Sequence, residues 1–535
     1  MVVATATAPS AATGTLASLT SGVAGLGVAD PPATPPRPRG YDDEPGAVGN
    51  VLSTKVALAL SPSEDPPPRS GFPYVIPLKE LCLESVARAF ASDQSCLREG
   101  VLPETLRARI VDLLDVRLDI DLAGRWIADE AYWCRRARAR WPSLARPGFA
   151  PTARGRSWKQ MFFEKHVEEA IVASANDDAE SLDDEKNRNH RVDATVRFAK
   201  KWTRVLSLRG LRAGGGSVRL GSTLFEPLAG CLTSLTLQYG KKSAGVGYEP
   251  SAFGMAAADC EALARCLPAA ETLVRLSLPQ NGLDCHRARI IAAGLGDNVS
   301  VTVLDLRANA IGCRGARALA KLLDKRSVLQ ELELADNAVG EEGALALARA
   351  LRKNVSLRTL SLRLNAFVGD AGGEALCDAI RKASVAGSTR LESVDLGACG
   401  LGPRAARAAA RMLRCENSVL LSASFAGNDD FGPEAGGAFR AAFRGRVAAE
   451  AETADAFEGS NALTAATSFP PAFPSVRTLE VRGCGFGEEC EEALEAAVRA
   501  NRARLEALGA AFPDRVSGVV TNATFFENLR EESHE

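Results

Sequence analysis

The sequence predicts an α/β solenoid of short parallel strands and helices, preceded by a small helical domain and a disordered N-terminus. Two observations support this prediction. A leucine-rich pattern recurs at constant spacing in the C-terminal half of the chain, and a block rich in tryptophan and arginine precedes it. Because a solenoid grows by stacking units around one continuous core, the 535 residues need not form several ordinary domains.

The repeats follow the pattern L-x-x-L-x-L-x-x-N-x-L. It fits residues 273–283, 301–311, 329–339 and 357–367, and the central leucines stand 28 residues apart at Leu276, Leu304, Leu332 and Leu360. The leucines of such a unit point into the core from a short strand, and the asparagine satisfies backbone groups where the chain turns. Alanine- and leucine-rich stretches at 315–325 and 343–354 predict a helix after each strand. One strand and one helix per unit give a curved solenoid with the strands on the concave side.

Further units flank these four with a weaker pattern. They lie at 204–211, 232–240, 391–401, 420–430 and 476–486. Cys399 and Cys484 stand at the asparagine position, where a thiol is a weaker hydrogen-bonding group. The spacing from Ala423 to Leu479 is 56 residues, twice the repeat, so we expect one unit to have become a helix and an inserted loop near 452–475. Helical spacing at 489–508 predicts a helix that caps the solenoid.

The N-terminal part is predicted to contain a disordered segment and a helical domain. Residues 1–72 are rich in Ala, Thr, Ser, Gly and Pro, with too few large apolar groups to offset the entropy of ordering. Helical apolar spacing follows at 76–90, 101–115, 118–141 and 155–171, with a charged linker or exposed helix end at 176–192. The predicted organisation is therefore 1–72 disordered, 73–200 helical, 201–510 repeats and 511–535 a tail.

Four tryptophans lie in the helical block, interleaved with arginines: Trp126, Trp133, Trp141 and Trp158. Such a pattern could stack nucleic-acid bases. Large aromatic residues are more often core anchors covered by arginine stems, and we favour that interpretation.

Composition argues against several classes of protein. With 64 Lys+Arg against 66 Asp+Glu the formal net charge is −2, so no bulk attraction to nucleic acid or anionic lipid is expected. Thirteen cysteines without a CxxC pair, and only four histidines, indicate reduced thiols and no metal site. No apolar run reaches the ~18 residues of a membrane span, and the first basic residue is Arg37, so we expect a cytoplasmic protein. Without an HExxH or GxSxG motif we expect no enzyme, no cofactor and no small-molecule substrate.

The strands indicate which groups could face a protein partner. Side chains alternate along a strand, so the residues between the inward leucines are expected to be exposed on the concave face. They are Arg275, Asp305, Arg307, Glu331, Glu333, Arg363 and Asp395. Both signs of charge are interspersed, which suits a specific protein partner better than a phosphate backbone. The alternative is a merely soluble surface.

The units resemble the ribonuclease-inhibitor type of leucine-rich repeat, which implies a leucine-rich-repeat horseshoe. From about 76 to 508 the arrangement is similar to the T-complex-associated testis-expressed family, the leucine-rich-repeat subunits of the dynein regulatory complex. The blocks that support this are EAYWCRRARARW (130–141), GRSWKQMFFEKHVEEA (155–170), residues 238–264 and residues 482–501. The long N-terminus and the 452–475 insertion depart from the family pattern.

The resemblance implies a non-catalytic structural subunit of the nexin link in the axoneme of cilia and flagella. Its expected partners are other dynein regulatory complex subunits, and its expected place is the cytoskeleton. An alternative is that LPETLRARIVDLLD (102–115) and the tryptophans after it resemble an F-box, which implies a substrate adaptor of a ubiquitin ligase. A GTPase activator of the Ran type rests on fold analogy alone. The structural subunit of the nexin link is the favoured interpretation, because the resemblance to that family covers both ends of the repeat array.

Overall fold

The computed structural model describes residues 77–98, 100–145, 151, 155–176, 182–212, 220–228, 230–240, 254–324, 326–415, 418–444 and 475–511. The predicted disorder of 1–72, nearly all of the predicted insertion and the tail after residue 511 lie outside this set. The chain divides into two units, Met1–Val86 and Ala87–Glu535. The contacts discussed below all belong to the second unit. Within the described parts, none of the helices combines the length and apolarity needed to cross a bilayer.

Six helices precede the sheet in the part of the chain that the structure describes. They are α1 (Leu78–Ala89), α2 (Glu104–Leu113), α3 (Ile120–Trp126), α4 (Glu130–Arg140), α5 (Trp158–Asn176) and α6 (Leu182–Ala199). The predicted segment 118–141 is two helices, because Asp129 accepts the backbone N–H of Tyr132 at 2.8 Å and starts a new helix there. Most of the stretch 176–192, expected to be a linker or helix end, is the first half of α6.

In the described residues of the repeat region the structure has nine strands and eight helices. The strands are β1 (Val205–Leu211), β2 (Ser234–Tyr239), β3 (Arg275–Ser277), β4 (Val303–Asp305), β5 (Glu331–Glu333), β6 (Thr359–Ser361), β7 (Ser393–Asp395), β8 (Ser422–Ser424) and β9 (Thr478–Glu480). The helices are α7 (Ala257–Cys266), α8 (Cys285–Leu295), α9 (Cys313–Ala320), α10 (Glu341–Leu351), α11 (Gly369–Val385), α12 (Pro403–Leu413), α13 (Pro433–Arg444) and α14 (Glu488–Ala511). Shorter helical turns lie at Ser95–Leu97, Pro142–Ala145, Lys200–Trp202, Leu220–Phe225, Glu226–Leu228, Leu267–Ala269, Lys321–Leu323 and Asp429–Phe431.

The strands form one parallel sheet in sequence order, β1 to β9. Leu276, Leu304, Leu332 and Leu360 are direct cross-strand partners, each no more than 1% exposed. The predicted leucine-rich-repeat solenoid, with one strand and one helix per unit, is confirmed. The opening units at 204–211 and 232–240 contain the two longest strands of the sheet.

The asparagines form a ladder along one edge of the strands. The side-chain oxygen of Asn309 accepts the backbone N–H groups of Asn281 and Leu283, both at 3.0 Å, from the preceding unit. Its amide nitrogen donates to the Leu278 and Leu306 carbonyls at 2.9 and 2.8 Å. Each asparagine thus joins its own turn to the turn of the preceding unit, as the repeat pattern predicts.

The helical region closes the free edge of β1. The Glu164 carboxylate of α5 accepts the backbone N–H groups of Arg204 at 3.0 Å and Val205 at 2.9 Å. Farther along α5, Glu168 accepts the N–H of Ser207 and Asn176 donates to the Gly210 carbonyl at 2.9 Å. Because an edge strand otherwise presents unpaired backbone groups, α5 acts as a cap made of side chains.

The core of this cap is aromatic and contains buried cations. Trp133 is fully buried and its indole N–H donates to the Ile127 carbonyl at 2.9 Å. The Lys159 ammonium donates to the Gly124 and Ile127 carbonyls at 2.8 and 2.7 Å, and it lies 4.7 Å from the ring centre of Trp202. Burial lowers the pKa of Lys159 to about 8. Trp133 is therefore a core anchor, as the sequence predicts.

Candidate functional site

One polar row crosses the concave face, the side of the sheet away from the helices. It consists of the residues that follow the central apolar residue of each strand from β3 to β9, and these are direct cross-strand partners. They are Ser277, Asp305, Glu333, Ser361, Asp395, Ser424 and Glu480, here called the polar row. Carboxylates and hydroxyls share the row, so acceptors have donors beside them.

Hydrogen bonds link members of the polar row across the strands. The Ser277 hydroxyl donates to the Asp305 carboxylate at 2.7 Å, and the Ser424 hydroxyl donates to a Glu480 carboxylate oxygen at 3.2 Å. The Asp395 carboxylate accepts the backbone N–H of Gly397 at 2.9 Å. The row is thus organised before any partner arrives.

Arginines lie beside the carboxylates of this face. Guanidinium-to-carboxylate distances are 3.4 Å for Arg307 and Asp305, and 3.6 Å for Arg275 and Glu331. In the third pair, Arg363 lies 3.9 Å from Asp395. The side chains of the three arginines are 32–45% exposed, whereas that of Asp305 is 9% exposed. A partner would therefore meet arginine groups and find most of the carboxylates behind them.

All seven residues singled out from the sequence lie on the strands of this face or within two residues of a strand end. Arg275, Asp305, Glu331 and Glu333 line one shared cavity of about 20 Å³, together with Thr359. A space of that size holds about one water-sized group.

The expected exposure was wrong for two of the seven residues. Asp305 and Asp395 are only 7% and 8% exposed. Neighbouring strands lie about 4.8 Å apart, so the longer side chains of adjacent units close over a short carboxylate. Their hydrogen bonds and arginine neighbours satisfy them within the protein.

Burial raises the pKa values of three carboxyl groups on this face. It raises the pKa of Glu333 to about 7, against the lowering effect of hydrogen bonds from Ser361 and the Ala335 backbone. Burial also raises the pKa of Glu331, which Arg275 partly offsets, and that of Asp395. Glu333 is therefore partly protonated near neutral pH, and the face has less negative charge than the number of its carboxyl groups implies.

Sequence reasoning missed the hydroxyl members of the polar row and Glu480. Their signal was present: each lies between the second and third apolar positions of its unit, where Asp305 and Glu333 lie in theirs. Among residues with described positions, no three His, Cys, Asp or Glu side chains are arranged to hold a metal ion. The face can offer paired hydrogen-bond donors, acceptors and charges to another polar surface.

Comparison with known proteins agrees with this architecture. The family model described as "Leucine Rich repeat" matches residues 297–320, 327–348 and 353–377. Dynein regulatory complex subunit 5 of Chlamydomonas reinhardtii is 34% identical over 216 residues, which cover 40% of this chain and 50% of that protein. The proteins of the same name from Macaca fascicularis and Homo sapiens are each 31% identical, over 295 and 252 residues, covering 52% and 43% of this chain and 55% and 48% of theirs.

The chain thus spans about half the length of the curated relatives it matches. None of these relatives is named as a ubiquitin-ligase subunit or a GTPase activator. The similarity that the tryptophan-rich blocks and repeats indicated is confirmed: the chain contains leucine-rich repeats and is similar to dynein regulatory complex subunit 5.

Proposed function

We propose that this protein is a non-catalytic structural subunit of the dynein regulatory complex, in the axoneme of cilia or flagella. There it binds other subunits of the complex and takes part in regulating dynein-driven motility. The observation that supports the proposal is the similarity to proteins named as subunit 5 of that complex, over half of their length. A solenoid with a pre-organised polar row and no catalytic motif in its sequence suits a binding scaffold.

The proposed binding surface is the concave face: Arg275, Asp305, Arg307, Glu331, Glu333, Arg363 and Asp395. Arg275, Arg307 and Arg363 are its most accessible charges, with 37%, 32% and 45% of their side chains exposed. Arginine is enriched in protein interfaces because its planar donors bind carboxylates and carbonyls in fixed geometry. Asp305 and Asp395 then act as positioning groups that hold two of these guanidinium groups in place.

Location in the axoneme is tested by fractionating cells that express the tagged protein. Permanent structural assemblies have large interfaces that resist moderate salt. We expect the protein to stay with axonemes after extraction with detergent and moderate salt, and its loss to impair beating without removing cilia. Recovery only from the soluble extract, bound to a cullin complex, would overturn the proposal in favour of a ubiquitin-ligase adaptor.

The binding face is tested with two matched triple variants. In the concave variant Arg275, Arg307 and Arg363 become Gln, and in the control variant Arg265, Arg289 and Arg314 become Gln. The control residues are exposed and lie on α7, α8 and α9. We expect the concave variant to lose its axonemal partners and the control to keep them, both folded by thermal melting. Full partner recovery by the concave variant would place binding elsewhere.

A further inference from the structure

A groove runs between α10 and α11 on the outer, helical side of the solenoid. Its volume is about 380 Å³. The apolar part of its lining is Leu345 with three alanines, Ala371, Ala375 and Ala379. The small side chains of α11 leave a recess beside Leu345 of α10 that one or two aliphatic side chains of another molecule could occupy.

The acidic residues of the groove are already neutralised. Glu374 pairs with Arg404 at 2.7 Å, and Asp378 lies 3.6 Å from both Arg381 and Arg411. Arg404 and Arg411 come from α12, the next helix along. The two carboxylates are therefore paired with these arginines and do not compensate the other cations near the groove.

Five cations surround the C-terminal ends of α10, α11 and α12. They are Arg349, Arg352, Lys353, Lys382 and Arg414, here called the basic rim, and all five are exposed. Arg352 and Lys382 also line the groove. Within the part of the chain that the structure describes, none of the five forms an ion pair with a carboxylate.

Aliphatic side chains are exposed next to the basic rim. Val355 is 43% exposed and follows Lys353 closely, and Val385 is 59% exposed at the end of α11. The rim therefore combines positive charge, accessible apolar surface and an apolar recess within three consecutive repeats.

Cations at the C-terminus of a helix have an ordinary structural explanation, because they interact favourably with the helix dipole. That effect falls off within the last turn of each helix. The end of α10 alone has three, Arg349, Arg352 and Lys353, in a chain whose formal net charge is −2. Unpaired like charges repel one another in the free protein, so an anionic partner would relieve this repulsion on binding.

We propose that the basic rim and the groove bind an acidic polypeptide segment. Its carboxylates pair with the rim, and one or two of its aliphatic side chains enter the groove. A polypeptide fits better than a nucleic acid, because the five rim residues and the groove lining include no aromatic side chain on which bases could stack. This surface is on the opposite side of the sheet from the polar row, and the proposal stands independently of the concave face.

The test uses the full-length protein and a fluorescein-labelled peptide of about twelve residues, rich in glutamate with two leucines. Fluorescence polarisation reports binding at low and moderate salt. In the rim variant Arg352, Lys353 and Lys382 become Gln, and the control is the variant with Arg265, Arg289 and Arg314 changed to Gln. We expect the rim variant to bind at least about tenfold more weakly and with a smaller salt dependence, as loss of charge complementarity requires, and the control to bind like the wild type.

The apolar part of the site is tested separately. A peptide with both leucines replaced by serine should bind the wild type several-fold more weakly, because the groove then stays empty. Equal losses in the rim and control variants would overturn the proposal, as would no peptide binding at millimolar concentration. Binding of a single-stranded oligonucleotide or of phosphatidylserine vesicles, with the peptide unbound, would also overturn it.

Discussion

The carboxylate of Glu164 accepts the backbone N–H of Val205 at 2.9 Å, and this bond joins α5 to the edge strand of the sheet. The same carboxylate accepts the N–H of Arg204 and a hydrogen bond from the Gln160 amide at 2.8 Å. Glu164 is only 2% exposed. A buried carboxyl group with three donors satisfies two backbone groups that would otherwise be left unpaired at the start of β1.

We expect Glu164→Ala to destabilise the protein by about 2–3 kcal/mol, since it leaves two partly buried N–H groups without an acceptor. Glu164→Gln retains one acceptor oxygen and should cost about 1 kcal/mol. Urea unfolding followed by circular dichroism measures both. Glu261→Ala, at an exposed position of α7, is the control and should change stability by less than about 0.5 kcal/mol. Equal stabilities for Glu164→Ala and the control would contradict the capping role.

Glu168, one turn farther along α5, makes the cap sensitive to pH. Burial raises its pKa from 4.5 to about 7, against the lowering effect of the Ser207 hydrogen bond and Lys165. The folded state therefore binds the proton more tightly than the unfolded state. The stability that protonated Glu168 contributes is fully present below pH 4.5 and is lost as the pH rises through about 7.

We therefore expect the stability of the wild type relative to Glu168→Gln to fall between pH 5 and 7. The slope should approach about 1.4 kcal/mol per pH unit at most. Urea unfolding of both proteins across this range measures the difference, and other titrating groups such as Glu333 cancel because both proteins contain them. Parallel stability profiles for the two proteins would show that Glu168 does not titrate in this way.

The sequence predicted the repeat part of the fold well because its signal is periodic. Leu304 and Leu332 occupy the same place in consecutive units, so register, strand direction and burial all followed from spacing. The cap was predicted only as helices with an aromatic core. Nothing in the spacing of Glu164 indicated that it would bond to backbone groups 40 residues later, because that contact depends on the docking of two elements.

The candidate site was predicted in part. Alternation along the strands located Arg275 and Glu331 correctly on one face. It could not give the exposure of Asp305, because burial there depends on how closely side chains of adjacent strands approach. The site was predicted from charged residues alone, so the serine hydroxyls of the polar row were not included, although their positions in the repeat follow from the sequence.

The ladder position of Cys399 should be a weak point of the solenoid. Asn365 accepts the Val339 N–H at 2.9 Å and donates to the Leu334 carbonyl at 2.9 Å. Cys399 donates its thiol to the Leu362 carbonyl at 3.1 Å, and it has no oxygen to accept a backbone N–H in return. In this unit the ladder residue therefore donates a hydrogen bond but is only a weak acceptor for backbone N–H groups.

We expect Cys399→Asn to raise stability by about 1 kcal/mol, since it restores an amide with both functions. Asn365→Cys should lower it by about 1–3 kcal/mol because it removes an acceptor from buried N–H groups. Thermal unfolding of the two single variants measures the contrast. A loss of stability in both variants would mean that the site around residue 399 is too small for an asparagine.

The last prediction concerns the residue before the ladder position. In five units a non-glycine residue adopts a left-handed backbone there, including Leu364 with φ 60° and Ala308 with φ 54°. Leu364 is also 50% exposed, so its side chain gains little in packing. A left-handed conformation costs an ordinary residue about 1–2 kcal/mol, less for asparagine and more for a β-branched residue.

We therefore expect Leu364→Asn to be neutral or to stabilise by about 0.5 kcal/mol, and Leu364→Val to destabilise by about 1–2 kcal/mol. At Val355, which is similarly exposed with an ordinary φ, the change Val355→Asn should give no gain. Chemical denaturation of the three variants gives the order, and equal stabilities for Leu364→Val and Leu364→Asn would show that backbone conformation does not limit this position.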